Sequence, residues 1–366
     1  MRTNRFWAVL MASSALAGPA FAADMAPVLK APARPALAPV SGYLEIEGGY
    51  AWERNTGSDP RFDVVDRLSG TDSKWLINGA GRVNWWLAPT LSTQFDVWGG
   101  FDSFQRQGIP GSTGDFSRGT SASFNIGQHL SYRVPEQYLV GLFGAIGDVS
   151  VRPGDCCTRT SFVHGTIGLE AQAYLGPLTL YGQGGVQGNL SDGGNGNGGR
   201  GASAGDLSAW FLRGVARYFV NDNLRLEGSA MYGRASGGNI SEDFAPVNVV
   251  GAGLSRDFKM EHLVWTAGIE KKLDALPLSL FARYQGSWTK FSVFDTGYAP
   301  PTTYALRAET TEHMVKVGLR VYLNESTLKF NDRMGTTLDI VDPLTSGYRA
   351  IGRSFNCGVC GGGLAF

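Results

Sequence analysis

The sequence predicts an all-β chain: a transmembrane, antiparallel up-and-down β-barrel of about 12 strands. Three observations predict it. Of 366 residues, 51 are Gly, 11% are aromatic and only 17% are charged. That usage suits a membrane barrel, with a soluble β-sandwich as the competing class. No segment after the leader approaches the roughly 20 apolar residues of a helical span. Instead, segments of about 10–15 residues alternate apolar and polar, separated in turn by tight turns and by long polar loops.

The elements follow in order. Residues 1–22 read as a secretory signal, with Arg2 and Arg5 ahead of a short apolar run and Ala20-Phe21-Ala22 before a cleavage point at Ala23. Residues 23–41 are rich in Ala and Pro, and read as an extended periplasmic linker. The barrel is expected over 42–323 and a tail over 324–366.

The leader's end and the run Ala26-Pro27-Val28-Leu29-Lys30-Ala31-Pro32-Ala33 resemble the start of alphaproteobacterial outer-membrane β-barrel proteins, such as the Omp25/Omp31-like group. The resemblance covers residues 20–39 and implies a Gram-negative outer membrane as the location.

Tight turns are read at Leu87-Ala88-Pro89, Val134-Pro135-Glu136, Gly176-Pro177, Asn221-Asp222-Asn223 and Ala275-Leu276-Pro277. All but the Asn221 turn carry Pro, which cannot donate to a strand ladder but suits a turn. Between turns, side chains alternate faces with period two. Leu44, Ile46, Tyr50 and Trp52 oppose Glu45 and Glu47, and Val315, Val317, Leu319 and Val321 oppose Lys316 and Arg320. One face suits lipid and the other water. Extending this parity gives a pore-lining set of Glu45, Glu47, Arg82, Asp96, Arg213, Arg217, Arg225, Glu227, Arg283, Lys316 and Arg320, with Glu170 and Glu270 joining it.

Interfacial aromatics supply an independent check, because an indole or phenol sits well between lipid and headgroups. Trp52, Trp75, Trp210 and Trp288 fall at outer strand ends, and Tyr43, Trp85, Tyr132, Tyr138 and Tyr218 at inner ends. The last strand, 313–323, carries Lys316, Gly318, Val321 and Leu323 at the spacing of a barrel-assembly signal. The tail beyond it is periplasmic or folded into the lumen.

Sites of chemistry are weak. His129, His164, His262 and His313 stand in no nucleophile–base pattern, so no catalytic set and no enzyme is expected. Glu261-His262 and Glu312-His313 put neighbours on opposite strand faces, which argues against a metal. Cys357 and Cys360 suit a small disulfide loop better than zinc or haem, and Cys156-Cys157 lies in an outer loop. No cofactor motif is present. The formal net charge of +0 gives no nucleic-acid signature.

The expected function is that of a porin-like channel for passive diffusion of small hydrophilic solutes, with basic residues near 213–225, 283, 316 and 320 tilting it towards anions. The alternative is a closed structural or surface-interaction barrel without transport. Outer-membrane lipids, lipopolysaccharide and the barrel-assembly machinery are the expected partners, with a homo-oligomer open.

Overall fold

The computed structural model describes residues 40–58, 70–106, 119–152, 160–192, 208–237, 256–295, 304–323 and 326–339. The expected signal sequence, residues 23–39 of the expected linker, all four Cys and the tail from residue 340 lie outside them; the linker's last two expected residues, Val40 and Ser41, belong to the first strand instead.

Twelve antiparallel strands close on themselves, β1 (Val40–Ser58) pairing with both β2 (Gly70–Ala88) and β12 (Tyr304–Tyr322). Between these run β3 (Leu91–Arg106), β4 (Gly119–Val134), β5 (Tyr138–Arg152), β6 (Thr160–Leu175), β7 (Leu178–Asp192), β8 (Ser208–Asn221), β9 (Leu224–Gly237), β10 (Arg256–Lys272) and β11 (Leu278–Asp295). Every strand hydrogen-bonds to its neighbours in sequence, the up-and-down order. Closure removes sheet edges, so every strand's backbone polar groups find partners inside the wall. The shortest strands have 14 residues and the longest 19. About 9–11 tilted residues cross a bilayer, so each strand outreaches the hydrocarbon.

Tight turns at 89–90, 135–137, 176–177, 222–223 and 273–277 gather the chain at one end. Glu136 and Gly176 both sit at φ +62° in their turns. Gly reaches that left-handed region freely; Glu136 does so at some cost. Arg333, beyond the last strand, reaches both turns.

The wall's two faces meet different solvents. Leu44, Ile167, Leu169, Leu212 and Val317 all point outward and are more than half exposed; Leu169 is 69% exposed. A continuous apolar exterior is unfavourable in water and natural in lipid. Trp52, Trp75, Trp210, Tyr132, Tyr138 and Tyr218 lie on this outer face. Trp288 is partly exposed there and its indole N–H donates to Glu309, 2.6 Å. Trp85 is also partly exposed.

Tyr43 departs from the expected girdle. It is 4% exposed and turned inward, packed with Phe219, Tyr322 and Leu328. Strand parity explains this: Tyr43 shares the face of Glu45 and Glu47, opposite Leu44. Position near the strand end suggests a girdle role, but alternation decides.

Gly318 of the last strand also has a packing role. A Cβ there would lie 2.5 Å from the Ile46 carbonyl oxygen and 2.9 Å from the Glu47 Cβ, against the Phe281 ring. Only glycine leaves room for that approach.

Candidate functional site: a plugged lumen

The interior is polar and paired through the strand register itself. Glu45 faces Arg320 across β1–β12, and Arg82 faces Asp96 across β2–β3. Arg217 faces Glu227 across β8–β9, and Arg225 faces Glu270 across β9–β10. Directly opposed residues of opposite charge stabilise a sheet pair. Here the side chains complete the pairs: Arg217 Nε to Glu227 at 3.0 Å and Arg225 Nη2 to Glu270 at 2.6 Å.

A ladder follows along β9–β12 and β1. Glu270 accepts from Arg320 Nη1 at 2.8 Å, Ser279 at 2.6 Å and Tyr322 at 2.9 Å. Arg320 continues to Glu45. Arg283 Nη1 bridges Glu45 at 3.2 Å and Glu47 at 3.3 Å, and Lys316 Nζ reaches Glu47 at 3.0 Å. All eleven residues expected to line the pore thus take part in ion pairs within the barrel.

A second inward cluster centres on His129, 1% exposed. Its Nδ1 lies 2.9 Å from Glu170 and its Nε2 3.3 Å from Asp96. Glu170 also accepts from the Tyr181 hydroxyl at 2.8 Å and from Gln183 at 3.3 Å. Among the other histidines, His164 lies against Gln187, His262 against Thr289 and His313 against Tyr284.

The chain then returns into its own barrel. A short helix, α1 (Leu328–Met334), follows β12. The Thr327 hydroxyl accepts from the Phe330 N–H at 3.2 Å, satisfying one orphan donor of the first turn. Leu328, Asn331 and Asp332 share one face and are buried. Seven residues are too few for an isolated helix, so wall contacts hold it. Lys329 N–H donates to the Asp222 carbonyl, 3.1 Å. Arg333 reaches the Glu136 carboxylate and the Gly176 carbonyl, clasping the two left-handed turns.

Beyond α1, residues 335–339 extend between the walls. Arg133 donates to the Gly335 carbonyl at 2.9 Å and Trp86 to the Met334 carbonyl at 3.1 Å. Gln94 and Arg82 donate to the Leu338 carbonyl at 2.7 and 2.6 Å. Gln183 donates to the Asp339 carbonyl at 3.0 Å. Leu338, fully buried, packs with Leu139, Tyr181 and Val215. Two carboxylates anchor the segment. Asp332 pairs with Arg217 Nη1 at 2.9 Å and accepts from Thr179 at 2.7 Å. Asp339 takes Arg82 on one oxygen, and Arg213 at 2.9 Å with Arg217 at 3.2 Å on the other. Burial alone would raise the Asp339 pKa; Arg82, Arg213 and Arg217 reverse this and hold it well below the usual carboxylate range.

The segment occupies the lumen between these walls. One cavity left among the described residues, between Arg82, Arg217, Arg225, Glu227, Arg283 and Arg320 and the plug residues Asp332 and Asp339, is about 30 Å³, room for ordered water and not for a hydrated solute. The seven expected basic residues face five wall acids, Glu45, Glu47, Asp96, Glu227 and Glu270, in this network. Asp332 and Asp339 of the plug add carboxylates to Arg217, Arg82 and Arg213, while the plug's own Arg333 reaches Glu136. Sequence parity places the expected wall residues on one strand face. It missed Arg133, Asp332 and Asp339.

The assembly-signal residues lie on β12 and just after it: Lys316 inside, Val321 and Leu323 outside. No group of three or more potential metal ligands occurs among the described residues. The loop residues Cys156 and Cys157 and the pair Cys357 and Cys360 lie outside the described residues.

No family model matches the chain. No curated protein sequence matches it either. Among solved structures, an outer-membrane channel from Pseudomonas putida F1 is similar at 12% identity, covering 78% of this chain and 96% of that one, TM-score 0.46. The translocator domain of the autotransporter NalP from Neisseria meningitidis matches at 10% identity over 76% and 88%, TM-score 0.43. A Pseudomonas aeruginosa FadL homologue matches at 10% identity over 78% and 90%, TM-score 0.41. The architecture in hand, a closed antiparallel barrel with an apolar outer wall, a polar interior and tight turns gathered at one end, is that of an outer-membrane β-barrel.

Proposed function

We propose that the protein is a channel-type barrel of a Gram-negative outer membrane, closed at rest by residues 326–339 and passing small hydrophilic solutes, anions preferentially, when that segment leaves. The observation that carries this reading is the anchoring of the segment by ion pairs, Asp332 on Arg217 and Asp339 on Arg82, Arg213 and Arg217. A barrel closed for structural purposes alone has no need of wall arginines aimed at carboxylates of a returning segment. Such arginines are costly when buried unpaired and stable when solvated. The plug's contacts are chiefly hydrogen bonds and ion pairs, which water replaces on release. The leader's resemblance to alphaproteobacterial barrel proteins supports the same setting. The lipid-facing belt is fitted to phospholipid and lipopolysaccharide, and β12, with Lys316, Gly318, Val321 and Leu323, is the segment offered to the assembly machinery.

The closed structural barrel remains the second reading, favoured by the density of ion pairs across the interior. Planar-bilayer recording of the double variant Asp332→Asn/Asp339→Asn separates the two. The channel reading expects discrete conductance, with a reversal potential in a KCl gradient showing chloride preferred. A folded variant that stays silent leaves the structural reading.

A further inference from the structure

Resting on the reading of residues 326–339 as a channel plug, we propose that Arg82, Arg213 and Arg217 form a binding site for a small oxyanion, a carboxylate or phosphate. In the closed chain the Asp339 carboxylate occupies it as an internal stand-in.

The geometry is that of a built site. Arg82 lies on β2, and Arg213 and Arg217 on β8, six places apart in a ring of twelve strands. Their guanidinium groups therefore come from opposite sides of the lumen to one carboxylate. Arg82 takes Oδ1, while Arg213 and Arg217 share Oδ2 at 2.9 and 3.2 Å. Planar forks on separate oxygens are how arginine recognises carboxylates and phosphates, rather than spherical ions.

The arginines are also held by groups that do not belong to the plug. Arg213 Nη1 donates to Gln183 Oε1 at 3.0 Å. Arg213 and Arg217 both lie over the Tyr181 ring, 5.8 and 5.4 Å from its centroid. Arg82 lies over the Tyr43 ring at 5.4 Å. Their side chains are 13%, 15% and 3% exposed, so charge there is poorly screened by solvent. When Asp339 leaves, these supports keep the three guanidiniums converging on an empty place. The place of one carboxylate with the adjoining 30 Å³ cavity fits an anion the size of acetate or phosphate.

Asp339 and a free oxyanion exclude one another. A tethered competitor lowers the apparent affinity by the fraction of chains in which its place is vacant. By reciprocity, the anion favours release of the plug. The site thus couples solute to opening.

The test is calorimetric titration of the full-length protein in detergent micelles with inorganic phosphate at neutral pH. Asp339→Ala should bind phosphate about tenfold or more tightly than the unaltered chain. Adding Arg213→Gln should remove about tenfold of that affinity. Equal binding by the Asp339→Ala and unaltered chains overturns the site, as does indifference to Arg213→Gln. Should Asp339→Ala not fold, the unaltered chain decides. Phosphate should lower hydrogen-exchange protection of the Leu338 amide, where sodium chloride at equal ionic strength does not, and unchanged protection overturns the proposal. Conductance of Asp339→Ala without phosphate keeps the two ideas apart. A conducting variant that binds no phosphate removes the site and leaves the channel. A variant that binds phosphate but stays silent removes the channel and leaves the site.

Discussion

Replacing Arg217 by Gln should release the plug while leaving the barrel folded. Arg217 is 2% exposed and ties the wall to the plug at several points. It holds Asp332 at 2.9 Å, Asp339 at 3.2 Å and the Thr337 carbonyl at 3.0 Å. Within the wall it holds Glu227 at 3.0 Å. Removing one partner of a buried ion pair costs about 3–5 kcal/mol, because the other charge stays buried. The loss is not complete here: Thr179 still donates to Asp332, Arg82 and Arg213 still hold Asp339, and Arg225 still faces Glu227. Taking about 3 kcal/mol, at about 1.4 kcal/mol per factor of ten, the docked-to-released ratio falls roughly a hundredfold. Native-state hydrogen exchange reads this at the amides of Asn331 and Gly335, whose N–H groups donate within the plug at 2.9 Å. Their protection should fall about a hundredfold, while amides in the β1–β12 ladder keep theirs. The reasoning fails if plug amides stay as protected as before, or if plug and ladder lose protection together. The second outcome makes the segment an inseparable part of the barrel core.

Acid should release the plug late. Asp339 has a folded pKa well below its ordinary value, so its contribution is complete above about pH 4 and is lost as the pH falls through the depressed value. Plug protection should therefore persist from neutral pH to about pH 4 and fall only in stronger acid; release at about pH 6 would mean that another group holds the segment. Gly318→Val should destabilise the barrel by about 1–3 kcal/mol through crowding against Phe281 and the Ile46 backbone. A lower urea midpoint with unchanged slope checks this, and an unchanged midpoint would show that the strand yields at no cost.

The barrel was legible because two solvents impose one period. A residue in a membrane strand faces lipid or lumen, and alternation records the choice; hence Leu44 and Ile46 against Glu45 and Glu47. Tyr43 carries two conflicting signals: its place at a strand end suggests the girdle, and its parity turns it inward. The helix at Leu328–Met334 has no such record. Its sequence, LKFNDRM, is too short to show helical periodicity, and its burial depends on walls far away in sequence. The latch is less visible still, since Asp339 meets Arg82 from 257 positions away. What the sequence does hold is charge on the inward faces, and both acids and bases in the segment after the last strand. Spatial proximity turns some of those charges into a plug's anchors.

The central claim is that residues 326–339 close the lumen, and single-channel recording tests it most directly. The full chain and a chain ending at Leu323, which keeps all twelve strands, are compared in planar bilayers. The account predicts a silent full chain and a steadily conducting, anion-preferring shortened one. Equal conductance from both, or silence from a folded shortened barrel, would contradict it.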